Sequence, residues 1–338
     1  MTEVYQGKDI EQAAQVLKHG GLVAFPTETV FGLGAIANNE TAVKSVYQVK
    51  GRPSDNPLIV HIAKKTDWKK YTASLTPERE QLVEQLTALF WPGPLTLVLP
   101  VKAGVFGPTV TGGLETVGIR MPDHSDTLKL IEATGFPLVG PSANLSGKPS
   151  PTTVQHVLHD FDGKIAGVLD STPTRIGVES TVLDLSDPDG LFILRPGYYT
   201  AKMFEAKIPT LTIRTHKPLP SGTILHPKAP GMKYRHYSPD LNVMAVSGEH
   251  FLEQYRAADP DTTVAVATDA LLEQLPTTAT TYSLGTDAMS ATHQLFSALR
   301  AYDGNPVEQT LIVELLPDVE GNQAYRNRLM KAASTVIE

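Results

Sequence analysis

Up to about residue 205, short apolar runs alternate with stretches in which apolar residues recur every three or four positions. Glycine or proline marks most of the changes. Asp9 can cap a helix that runs to His19 and stops at Gly20-Gly21. Residues 22–25 read as a strand stopped by Pro26. Asn38 or Asn39 can cap TAVKSVYQVK, which Gly51 ends and Pro53 bars from continuing. PLIVHI (57–62) reads as a buried strand. Thr76-Pro77-Glu78 opens a helix that reaches Phe90, where WPGP breaks it. LTLVLPV, VGIRMP, PLVGPS, IAGVLD, STVLDL and LFILRPG supply further strands. Strands outnumber helices, which predicts an α/β fold: a twisted mixed sheet with helices packed on it, over residues 1–205. Residues 206–240 change character, with Pro209, Pro218, Pro220, Pro227, Pro230 and Pro239 and no helical period, and read as a linker. Residues 241–338 read as a smaller α/β unit, with strands at 262–269 and 310–316 and helices at 292–302 and 322–334. No internal repeat is visible.

Composition narrows the classes. The chain has 338 residues, 41% of them hydrophobic and 19% charged, with a net charge of -7. That acidity argues against tight nonspecific nucleic-acid binding, although a phosphate pocket needs only a few cations. There is no cysteine, which excludes disulfides and thiolate zinc sites. His156 and His159 form a pair at helical spacing that reads as a solvated helix face. The N-terminus lacks the pattern of a signal peptide, and no run approaches the ~20 apolar residues of a membrane span, so a cytoplasmic location is expected.

Five clusters place polar or cationic groups beside short apolar strands: PTETVFGLG (26–34), KGRPSDNPLIVHI (50–62), ETVGIRMP (115–122), GPSANLSGKPS (140–150) and GVESTVLDL (177–185). In the second, Lys50 and Arg52 flank Gly51 at a helix end. They suit phosphate binding, or simply complement the helix dipole. In the fourth, an extended backbone after Pro141 would aim Ser142 and Asn144 at one site, while a plain turn is the alternative. Two nucleotide motifs nearly appear and are rejected. Residues 142–149 carry Ser142 and Pro149 where a P-loop needs glycine and a hydroxyl residue. GLGAIA (32–37) is not followed at once by a helix, as a dinucleotide fingerprint requires. His61 reads as structural or as ligand-binding. Arg120, inside an apolar strand, needs an anion: an Asp or Glu of the chain, or a substrate carboxylate.

Taken together, in this order, the clusters resemble the YrdC family. PTETVFGLG is similar to its PTETVYGLG signature, with Phe31 where tyrosine is usual. KGRPSDNPLIVHI is similar to its KxR block and GPSANLSG to its SxN block, and GVESTVLDL and LRPG (194–197) match later blocks. GMKYRHYSP (231–239) resembles the linker motif of the family's long form, which adds a small Rossmann-like domain.

The resemblance implies a threonylcarbamoyl-adenylate synthase. Such an enzyme uses ATP, L-threonine and bicarbonate, with Mg2+ on the ATP and no organic cofactor. Its product serves tRNA modification through a threonylcarbamoyl-transferase machinery, and direct tRNA contact is conceivable. The resemblance gives Lys50, Arg52, Ser142 and Asn144 catalytic roles. It gives ATP to Arg52, Asn56, Thr116, Ser142, Ser150, Arg195 and Tyr234, and threonine to Thr29, His61, Arg120, the Gly140 backbone and Ser180. Fixed cations would offset the repulsion between an attacking carboxylate and a triphosphate. The unstable mixed anhydride calls for exclusion of water, which suggests a lid in which Tyr234, His236 and Tyr237 face the nucleotide. Two other classes compete: an RNA-binding module, and an accessory domain of a carbamoyltransferase.

Overall fold

The computed structural model describes residues 1–215, 237–302 and 309–338. The chain divides into two compact units. The first holds Met1–Ser146, Thr152–Thr174 and the described residues from Glu179 to 215. The second holds Gly147–Pro151, Arg175–Val178 and the described residues from 237 onward. The sequence suggests single cuts near 205 and 240; instead, two short loops of the earlier chain group with the later unit.

The first unit is built on one sheet of eleven strands: β1 (Glu3–Tyr5), β2 (Val23–Phe25), β3 (Gly32–Ile36), β4 (Ile59–His61), β5 (Leu95–Pro100), β6 (Thr116–Arg120), β7 (Leu138–Val139), β8 (Gly167–Leu169), β9 (Thr181–Asp184), β10 (Leu191–Arg195) and β11 (Ile213–Arg214). Their order is β1-β8-β2-β3-β7-β4-β6-β5-β9-β10-β11, with parallel and antiparallel neighbours mixed, as the pattern predicts. The sheet extends to Arg214, so it takes in the start of the segment read as linker.

Register decides what each face carries. Phe25 opposes Gly32, Ile36 opposes Leu138, His61 opposes both Leu138 and Arg120, and Gly118 opposes Val98. Side chains alternate along a strand, so these residues share one face. Leu33, Ala35, Val60, Leu97, Val117 and Ile119 fall on the other, inside the main hydrophobic core. Helices α1 (Ile10–Lys18) and α2 (Glu40–Lys50) take opposite faces. α2 packs into the main core through Val43 and Val46. α1 packs through Ala13, Ala14 and Leu17 on Val23, Phe25 and Leu138, each of the larger fully buried side chains (Leu17, Val23, Phe25 and Leu138) contributing about 1.5–3 kcal/mol. The first face beyond β4 has only a small apolar cluster of Val98 and Val182, with Leu194 against it, and Thr116 and Gly118 there are half-buried. Within this unit it is a polar trough.

Local signals explain the helix ends. Asn39 Oδ1 accepts from Ala42 N, and Gly51 closes α2 with φ +62°, a left-handed geometry that glycine adopts without strain. Asp9 departs from expectation: its carboxylate accepts from Gln6 N at 3.0 Å and closes the turn before α1 instead of capping the helix. Gly32–Ile36 is strand throughout, which is why GLGAIA is no dinucleotide fingerprint.

The second unit carries a parallel five-stranded sheet. Its strands are β12 (Asn242–Ser247), β13 (Thr263–Ala267), β14 (Thr281–Ser283), β15 (Thr310–Leu315) and β16 (Thr335–Ile337), in the order β14-β13-β15-β12-β16. The connecting helices make it a Rossmann-like arrangement of strands and crossovers. The helix read at 292–302 begins earlier, at Ala288, because Asp287 caps it.

Candidate active site

The trough of the first unit gathers residues from five of the sequence clusters. Arg120 ends β6 and is 4% exposed. Its Nη2 lies 2.7 Å from Glu28 Oε2 and donates to Thr29 Oγ1 at 3.0 Å, and its Nε donates to Gly93 O at 3.4 Å. Nη1 makes no hydrogen bond among the described residues and is not sealed from solvent. The guanidinium is thus held along one edge and presented on the other. The anion that Arg120 needs is Glu28, quoted within PTETV but not singled out by the sequence reading. Nothing in the sequence signals the pairing, which joins residues 92 positions apart.

His61 ends β4 opposite Arg120. Burial, and secondly the Arg120 charge, push its pKa down to about 3, so it is a neutral imidazole near pH 7. Its ring meets Phe25 edge-on with centroids 5.4 Å apart. Gly140 lies against both rings. A Cβ there would come within 2.7 Å of His61 Cε1 and Phe25 Cζ, so only a bare backbone passes. Thr29 is fully buried, its hydroxyl 2.7 Å from Thr27 Oγ1.

At the phosphate-type clusters the expected geometry is partly replaced. Lys50 is buried and donates to Ser142 O at 2.6 Å and to Asn144 O at 2.5 Å, so its ammonium ties the KGR turn to the 142–144 loop. Asn144 N donates back to Ser142 O at 3.0 Å. The chain therefore turns at Ala143, and the extended backbone read from sequence is corrected: Ser142 and Asn144 do not simply alternate along a strand. Asn144 Nδ2 donates to Leu145 O. Arg52 is half-buried, with long bonds of 3.4 and 3.3 Å to Asn56 O and Pro57 O. Asn56 is 1% exposed, and its carbonyl also accepts from the Tyr47 hydroxyl at 2.8 Å. Burial raises Tyr47 to about 12.

Arg195 ends β10 and bonds Ser180 through O at 3.1 and 3.2 Å and through Oγ at 3.1 Å; Ser180 Oγ lies 2.8 Å from Thr96 Oγ1. Thr96 and Gly118, which sequence reasoning passed over, share this face with Arg120. Thr116 sits half-buried at the start of β6. Ser150 is fully buried in a loop that groups with the second unit.

Tyr234 and His236 lie outside the described residues. Tyr237 was expected to face a nucleotide. Its ring is buried in the second unit instead, 5.2 Å from Phe296 and 5.9 Å from the Arg328 guanidinium, on a backbone with φ +67°. His156 and His159 take separate partners, Thr152 and Asp160, and no group of three or more metal-ligating side chains occurs among the described residues.

Buried polar atoms without a hydrogen bond concentrate here: both Glu28 oxygens, Asn56 Oδ1 and His61 Nδ1. Such atoms are costly, and several within one site mark groups that a ligand is built to match.

The comparisons with known proteins place the chain in a family. Residues 15–197 match the Sua5/YciO/YrdC family model, described as Telomere recombination. Residues 200–334 match the model described as Threonylcarbamoyl-AMP synthase, C-terminal domain. The Threonylcarbamoyl-AMP synthase of Bacillus subtilis (strain 168) is 46% identical, covering 96% of this chain and 92% of its own. That of Pyrococcus abyssi is 41% identical, covering 96% and 94%. The crystal structure of P. abyssi Sua5 complexed with L-threonine superposes with a TM-score of 0.85 at 39% identity, covering 100% of this chain and 99% of that one. By both halves, the chain belongs to the Sua5/YciO/YrdC family in its two-domain threonylcarbamoyl-AMP synthase form.

Proposed function

We propose that the chain joins L-threonine, bicarbonate or CO2, and ATP into threonylcarbamoyl-AMP and pyrophosphate. The observation that carries this reading is the Arg120 edge open to the trough, beside buried unmatched atoms on Glu28 and His61. An amino acid supplies a carboxylate for Arg120 Nη1. Thr29, His61, the Gly140 backbone and Ser180 surround the amino-acid end. A neutral His61 suits a substrate hydroxyl, since a hydrogen bond needs no charge there.

The threonine nitrogen forms a bond to the carbon of CO2 and loses a proton, giving N-carboxythreonine. An oxygen of that carboxylate then attacks the α-phosphorus of ATP, and the bond to pyrophosphate breaks. Arg52, Asn56, Thr116, Ser142 and Arg195 form the nucleotide side. Arg52 supplies a planar fork suited to bidentate contact with phosphate oxygens. Lys50 acts through the loop it braces, fixing Ser142 and Asn144 while adding positive charge. Mg2+ arrives with the triphosphate, whose oxygens supply its ligands. The product is consumed by a threonylcarbamoyl-transferase machinery acting on tRNA in the cytoplasm. No helix among the described residues is long and apolar enough to cross a membrane.

The test is pyrophosphate release from ATP. Release should require both threonine and bicarbonate; equal release without threonine overturns the reading.

A further inference from the structure

The Glu28–Arg120 pair is poor as a structural element. The two side chains are 1% and 5% exposed, and the closest atoms are 2.7 Å apart. Yet neither Glu28 oxygen accepts an aligned hydrogen bond, so the contact is one of charge, with the N–H directed elsewhere. A buried ion pair repays its desolvation only when the geometry is good and the remaining lone pairs are satisfied. By that measure, two apolar side chains would serve the fold as well. The arrangement does achieve something else. Glu28 Oε2 draws Nη2 toward it by charge, while Thr29 Oγ1 and Gly93 O take directed hydrogen bonds from Nη2 and Nε, and the three contacts together hold the guanidinium in place. Nη1 is the group left to meet a ligand.

We propose that Glu28 is a positioning residue for amino-acid recognition. It orients Arg120 so that Nη1 addresses the substrate α-carboxylate, and it cancels the guanidinium charge so that orientation, not net charge, selects the ligand. This rests on the threonine reading of the trough. Without Glu28, Thr29 Oγ1 and Gly93 O hold Arg120 through neutral, longer bonds, and its plane can rotate. A substrate carboxylate then loses its aligned partner, whereas an analogue with no carboxylate loses nothing.

The experiment compares L-threonine with L-threoninamide, which keeps the amine and hydroxyl but lacks the carboxylate. Pyrophosphate release is measured for the wild-type chain, Glu28→Gln and Glu28→Asp. In Glu28→Gln, KM for threonine should rise at least about tenfold while KM for ATP stays within about threefold. The ratio of kcat/KM between threonine and threoninamide should fall by at least about tenfold. That ratio does not depend on how much of the variant is folded. A merely structural role would lower kcat and thermal stability and leave the ratio unchanged; that result, or a ratio that grows, overturns the proposal. Where Glu28→Gln yields no folded protein, Glu28→Asp is read for the same ratio, because its shorter carboxylate draws back from Nη2. Absence of threonine-dependent release in the wild-type chain would instead reject the functional reading, which separates the two failures.

Discussion

The Tyr47 hydroxyl lies 2.8 Å from the Asn56 carbonyl and 2.9 Å from the Thr109 carbonyl, so one proton serves two acceptors from different segments. Tyr47 is on α2, the helix that also ends in Lys50. One helix therefore holds both the loop carrying Arg52 and Asn56 and the loop carrying Ser142 and Asn144.

Tyr47→Phe keeps the ring and removes that proton. Losing a buried hydrogen bond should cost about 1–2 kcal/mol of stability, read by chemical denaturation. Asn56 would then be less well placed, and KM for ATP should rise severalfold while KM for threonine changes less. An unchanged KM for ATP would show that the loop is held by other means.

Lys50→Ala removes the brace between the KGR turn and the 142–144 loop. Two carbonyls lose a charged donor, at a cost of about 1.5–3 kcal/mol each where they stay buried. The rate of pyrophosphate release should fall at least about tenfold, on the order of 1.4 kcal/mol in the barrier. Lys50→Arg should not rescue it, because the planar fork does not fit where a compact ammonium meets two converging carbonyls. Full activity in Lys50→Arg would contradict this account of the contact.

How far the sequence revealed these relations differs from residue to residue. Thr76-Pro77 and Asn39 gave true helix starts because capping is local, with the accepting side chain and the donating backbone N–H three residues apart. The mixed sheet was legible because apolar runs of strand length survive any strand order. Glu28 as the partner of Arg120 was not legible: the pairing spans 92 residues and depends on β6 lying beside β4, which no periodicity encodes. Ser142 and Asn144 misled because the i, i+2 argument assumes a strand, and a hydrogen bond from Asn144 N to Ser142 O turns the chain between them. Arg120 was readable as an anomaly, a charge in an apolar strand, although not what satisfied it.

His61 predicts a pH effect with a definite sign. Its folded pKa, about 3, lies below the unfolded value near 6.5, so the unfolded chain binds the extra proton first. The stability held by keeping this ring neutral is fully present above pH 6.5 and is lost as pH falls from there toward 3. The slope approaches about 1.4 kcal/mol per pH unit within that window. Between pH 6.5 and 5, the wild-type chain should therefore lose about 2 kcal/mol that His61→Gln does not lose. Denaturant titrations of both proteins at the two pH values give the comparison; parallel losses would mean that other groups govern the acid limb.

Gly140 is the position where fold and ligand compete most directly. Its backbone N donates to Ile59 O at 3.1 Å, which pins it to β4, and a Cβ would meet His61 Cε1 and Phe25 Cζ at 2.7 Å. Both rings are buried, so neither can swing aside into solvent. Gly140→Ala must push His61 or shift the backbone, with an expected overpacking cost of about 1–3 kcal/mol. If His61 yields, it moves relative to Arg120 across the β4–β6 pair, and the two groups no longer address one small substrate together. Threonine KM should then rise at least tenfold, about 1.4 kcal/mol, and more than ATP KM, because Arg52 and Asn56 lie on another loop and of the nucleotide residues only Ser142 adjoins the change. Threonine affinity close to wild type, with only the melting temperature lowered, would mean that the Gly140 backbone shapes the core and not the amino-acid site.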